Sequence, residues 1–162
     1  MQAVTRVQAL FSSAGVVLVL TPEFAGTRLS GAARWLSPDR AVIQLSMRHK
    51  SNDQFWFSLF HEVGHLLARK RGDFIDSDDV LSESADQNEK DADRFARDAL
   101  IPPDLYADFV AAKTFTAQRV REFAKETSIA PGIVVGRLQR EDLLDRAHLN
   151  DLKKSIKWAK SS

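Results

Sequence analysis

No cysteine occurs among the 162 residues. That absence removes disulfide frameworks, zinc ribbons, thiolate metal sites and a cysteine nucleophile in one step. Any metal must therefore be held by histidine and carboxylate. Histidine is itself scarce, confined to His49, His61, His65 and His148. A surplus of one charge is also missing: 23 Lys and Arg stand against 22 Asp and Glu, a formal net charge of +1. This balance argues against a direct nucleic-acid binder and against a disordered chain. Long apolar runs are lacking too, since Val16 to Leu20 is far too short to cross a bilayer and the stretch from Phe55 to Leu67 is interrupted by Ser58, His61, Glu62 and His65. The start, from Met1 to Arg6, has no basic region ahead of an apolar core. The expectation is a cytoplasmic protein with no membrane partner.

What is present reads as one domain, because the chain length suits a single core and no repeat or low-complexity linker divides it. Residues 2–14 space Val4, Val7, Leu10 and Phe11 as an amphipathic helix ended by Gly15. Val16 to Leu20 reads as a buried strand, and the segments flanking Ser37-Pro38-Asp39 read as a hairpin, with Ala41, Ile43 and Leu45 on one face. From Ser51 the pattern becomes helical: Ser51 and Gln54 form a capping-box pair, and the helix should run over residues 52–70 and close near Gly72. Further helices are expected over 87–100, 104–112, 116–127 and 131–140, with a short turn of helix in the tail. The expected fold class is α+β: a small antiparallel three-stranded sheet within residues 1–50, a helical body over 51–148, and a tail at 149–162.

The chemistry concentrates in His61-Glu62-Val63-Gly64-His65, in the middle of the predicted helix. Residues four apart share a helix face, so the two imidazoles converge on one ion, while Glu62 is close enough to reach a water on it. Zinc is the expected metal, since it prefers nitrogen and oxygen donors and a catalytic site takes three protein ligands and one open position. A third ligand is required. His49, His148 and the acidic stretch compete for that place. Glu89 is the best placed, at the start of the next predicted helix, and Asp93 lies four residues on, where it would bond the free nitrogen of a ligating histidine. Glu83 falls in a presumed loop and Asp91 faces away from Glu89.

The motif at His61–His65, followed by Glu89-Lys-Asp-Ala-Asp-Arg-Phe-Ala96 and Leu100-Ile-Pro-Pro103, resembles the ImmA/IrrE family of metallo-endopeptidases, of the gluzincin type. The likeness extends to the segments 31–36, 130–138 and 148–150. It implies a zincin-like fold, with His61, His65 and Glu89 as zinc ligands, Glu62 as the catalytic base and Asp93 supporting a ligand histidine. It also implies a protein substrate, a helix-turn-helix repressor or antitoxin, and a role in transcription regulation or a toxin–antitoxin pair. No helix-turn-helix segment precedes the sheet here. Residues 116–140 form a helix, turn and helix, but Ile133, Val134, Val135 and Leu138 make the second helix too apolar to read a groove. His148 and Tyr106 are the candidates for a further donor to the oxyanion. The alternative reading is a regulatory module that binds zinc and a repressor or antitoxin without turnover.

Overall fold

The computed structural model describes residues 2–22, 30–46, 51–68 and 83–156. Helix α1, Gln2–Ser13, leads into strand β1, Val16–Thr21, and the hairpin of β2, Gly31–Ser37, and β3, Arg40–Ser46. Five helices follow: α2, Asn52–Ala68; α3, Glu83–Leu100; α4, Pro103–Ala111; α5, Ala117–Glu126; and α6, Pro131–Arg140. A short 3-10 turn covers Asn150–Leu152. The α+β class is as expected, and α3 begins four residues earlier than the sequence pattern indicates. None of the described helices is long and apolar enough to cross a membrane.

The sheet corrects one expectation. It is mixed, not antiparallel: β3 occupies the centre, antiparallel to β2 and parallel to β1. The chain reverses direction from each strand to the next, but the second strand of the hairpin docks against β1, so these two run the same way. Alternation along β3 explains why it takes the middle place. Ala41, Ile43 and Leu45 are all at most 1% exposed, and a strand that buries one whole face gains most when flanked on both sides.

Among the described residues two apolar clusters form, and Trp56 of α2 packs against both. The first joins the inner face of the sheet to Phe55, Leu59 and Leu66 of α2, with Val4, Val7 and Phe11 of α1 packed against it. The second gathers α4, α5 and α6, including Phe109, Phe123 and the buried run Ile133, Val134 and Val135. The apolar side chains of α6 thus serve the core. Between the two clusters α2 is held on both sides, which fixes the helix that carries the histidine motif.

The start of α2 differs in detail from the capping-box expectation. Ser51 is drawn into a β-bridge with Ser155, and the side chain accepting there is Asn52, whose Oδ1 takes the N–H of Asp53 at 3.1 Å and of Lys154 at 3.0 Å. The expected close of this helix, from Arg69 to Gly72, lies outside the described residues. Arg137 secures the end of α3: its Nη1 donates to the carbonyls of Arg97 and Ile101, both at 3.1 Å. Carbonyls in a last helical turn have no partner within the helix, so this bond ties α3 to α6.

Candidate metal centre

His61 and His65 lie one turn apart on α2, and their Nε2 atoms face each other at 3.0 Å. Glu89 approaches from α3 and spans the pair, with Oε2 3.3 Å from His61 Nε2 and Oε1 3.1 Å from His65 Nε2. Donors held about 2.0–2.2 Å from a tetrahedral ion stand roughly 3.3–3.6 Å apart. The observed separations fall within a few tenths of an ångström of that spacing. Asp93, one turn beyond Glu89, completes the arrangement: His61 Nδ1 lies 2.8 Å from its Oδ1. A ring nitrogen that donates to a carboxylate leaves the opposite nitrogen as a lone pair, the state a metal ligand needs. The donor set therefore fits a metal ion. Among the described residues no fourth histidine or carboxylate joins the three.

The close approach of α2 and α3 has a specific cause. A Cβ on Gly64 would stand 2.9 Å from Ala92 Cα and 3.2 Å from Ala92 Cβ, so only glycine lets the second helix come near enough for Glu89 and Asp93 to reach the histidines. Ala92 is itself buried, at 2% exposed. Gly64 of the motif and Ala92 between the two acidic residues are thus the contact that makes the site.

Glu62 is 7% exposed, a low value for a carboxylate, and lies under the first residue of β2. A Cβ on Gly31 would stand 2.5 Å from Glu62 Oε1 and 2.9 Å from its Cγ. Gly31 is thus the roof over Glu62. Both residues line an open cleft of about 530 Å³ together with His61, His65, Glu89 and Asp93. The start of β2 also lines the cleft, and among the described residues this strand pairs with β3 alone.

The other predicted positions fall elsewhere. Tyr106 is 6% exposed, belongs to the second apolar cluster, and donates its hydroxyl to Glu141 Oε2 at 2.8 Å. Burial, helped by that bond and by the charge of Glu141, raises its phenol far above the ordinary range, against the opposing charge of Arg137. His148 sits in the loop after α6, with its side chain 70% exposed and Nδ1 3.6 Å from Asp145 Oδ1. Neither lines the cleft, so the structure does not bring the two proposed oxyanion donors to the metal ligands. Asp91 pairs with Arg94 at 2.6 Å, away from the cluster. His49 and the side chain of Glu83 lie outside the described residues.

One residue of the cleft escaped the sequence reading. Arg140, the last residue of α6, lines it beside Phe57, with its guanidinium carbon 3.4 Å from the centroid of that ring. Loss of hydration lowers its pKa, while the charges of Asp93 and Asp53 raise it and that of Arg97 lowers it further. Nothing in periodicity marks a terminal helix arginine as part of a site 75 residues from the histidine motif; the packing of α6 on α2 puts it there.

A search of curated proteins gives no match to this chain. The profile of the IrrE N-terminal-like domain, peptidase family M78, does match, over residues 14–139. That span runs from the end of α1 into α6 and takes in the whole helix pair that forms the cluster, and the chain belongs to this family of metallopeptidase-type domains.

Proposed function

We propose that the protein is a cytoplasmic zinc endopeptidase whose substrate is a helix-turn-helix repressor or antitoxin. The observation that carries the catalytic part is the combination of three converging donors with a buried carboxylate, Glu62, on the same cleft wall. A closed structural zinc site has four protein ligands; a catalytic one has three and keeps a position open. The two imidazoles and one carboxylate suit zinc better than calcium or magnesium, which favour oxygen ligands throughout. Bound there, the ion would supply Lewis-acid polarisation of the scissile carbonyl and acidify water.

The remaining work belongs to the chain. Glu62 takes the proton of the attacking water and returns it to the departing amine, so that water and peptide bond become a carboxyl group and an amine. Its burial under Gly31 holds the carboxylate in one place. Asp93 keeps the His61 ring in the orientation and tautomer set by the 2.8 Å contact. The edge of β2 that is unpaired among the described residues, along Ser30 to Ala33, offers backbone groups to an extended peptide in the manner of an added strand. Family resemblance supports the repressor or antitoxin as substrate.

The test is to load the protein with zinc, confirm one bound metal by elemental analysis, and incubate it with purified helix-turn-helix repressors and antitoxins, starting with any encoded beside it. A discrete cut by wild type that Glu62→Gln lacks, with its zinc retained, supports the reading. Cleavage that survives Glu62→Gln removes the base assignment. A zinc-loaded wild type that only binds the partner favours the regulatory-module reading.

A further inference from the structure

Arg140 presents its charge to the catalytic cleft, and behind it lies a smaller pocket of about 30 Å³ lined also by Arg97, Arg137 and Asp53. Three guanidiniums thus meet at one wall. Arg137 is fully engaged, bonding the carbonyls of Arg97 and Ile101 and Glu141 Oε1 while stacking on Tyr106. The other two are different. Among the described residues, the guanidiniums of Arg97 and Arg140 make no hydrogen bond or ion pair; Arg140 stacks on Phe57 and feels the charges of Asp93 and Asp53. The nearby carboxylates act on Arg140 through their charge without bonding it: Asp93 Oδ1 faces His61, and Asp53 faces Lys153 Nζ at 2.7 Å.

Arg140 is exposed and Arg97 half-buried, so water solvates their donors, and a planar anion entering the cleft can replace that water on the Arg140 fork. The stack on Phe57 holds the planar group in place, which lowers the ordering cost of binding. Resting on the peptidase reading above, we propose that Arg140, backed by Arg97, is the specificity subsite for a carboxylate on the substrate next to the bond that is cut. A planar carboxylate matches the guanidinium fork through two parallel bonds. The source is either an Asp or Glu side chain of the substrate or a free C-terminus.

A peptide library with all residue types at each position, in free-acid and amidated forms, separates these sources when digested by zinc-loaded wild type and read by mass spectrometry. Enrichment of Asp or Glu at one position in both forms assigns a side chain. Cleavage confined to free acids near their ends assigns the terminus. Arg140→Met should cut acidic peptides roughly 10- to 100-fold less efficiently relative to their Gln or amide analogues, and Arg140→Lys should recover only part of that ratio. Circular dichroism of each variant checks that it is folded. Wild type with no acidic preference, or Arg140→Met with an equal loss on every peptide, overturns the proposal; the second result would give Arg140 a role at the carbonyl instead. If wild type cuts nothing, the peptidase reading fails separately, and the subsite is then decided by NMR of the arginine Nε–H signals. In that titration an acetyl-glutamate amide should shift the Arg140 signal and its glutamine analogue should not; no shift overturns the subsite.

Discussion

At the residue scale, the histidine motif defines where chemistry is placed, and its neighbours define how well it is held. Asp93 is the clearest case. Its carboxylate faces His61 Nδ1 at 2.8 Å, so Asp93→Ala should weaken zinc binding by about 10- to 100-fold, measured by competition with a chromogenic chelator. An unchanged affinity would show that His61 needs no such support. Tyr106 supplies a second residue-scale prediction, helped by its being the only tyrosine. Its folded pKa is raised above the ordinary value of 10.0, chiefly by burial and then by the bond to Glu141. Between the two values the folded chain holds a proton that the unfolded chain has lost. Stability is therefore fully present below about pH 10 and declines as pH rises beyond it. Ultraviolet titration should show the single phenolate absorbance appearing together with unfolding, and Tyr106→Phe should remove this alkaline dependence.

At the scale of elements, the site is the product of a helix pair. Gly64 faces Ala92 at a distance that leaves no room for a side chain, so Gly64→Val should force α3 outward. Overpacking of this kind costs about 1–3 kcal/mol. The larger consequence is functional: Glu89 and Asp93 ride on the displaced helix, and zinc affinity should fall by more than ten-fold, as in losses of supporting contacts. A variant that keeps full zinc affinity would show that the helix spacing is not set at this contact. Gly31→Ala acts on the other wall. It intrudes on Glu62 without touching the three converging donors, so it should lower cleavage while calorimetry shows zinc binding intact.

At the scale of the whole molecule, the C-terminal segment is fastened to the front of α2. Lys153 Nζ lies 2.7 Å from Asp53 Oδ2 and donates to Gln139 Oε1 at 2.7 Å. Neither Asp53 oxygen has a partner in full hydrogen-bond geometry, so the lysine charge is the main compensation for a carboxylate that is 4% exposed. Lys153→Met takes away the nearest positive charge of a buried carboxylate and should cost about 3 kcal/mol. For a chain of this size the cost corresponds to a fall in Tm of roughly 6–12 °C. Adding Asp53→Asn should restore much of the loss, because it removes the uncompensated charge; an unchanged Tm in the single variant would refute the compensating role of Lys153.

The sequence by itself determined what is local. Helix periodicity around His61 and His65 places two imidazoles on one face, and the alternation of Ala41, Ile43 and Leu45 sets the inner face of the hairpin. Spacing also selected Glu89 and Asp93 as one face of a second helix, which the structure lays beside the first. Tertiary structure alone decided the rest. The parallel pairing of β1 with β3, Gly31 above Glu62, and Arg140 at the cleft all depend on segments distant in the chain meeting in space. Tyr106 and His148 show the same limit from the other side, since a suitable side chain in the sequence carries no information about which cavity it faces. Periodicity fixes the face of an element, while close packing between elements fixes what that face meets.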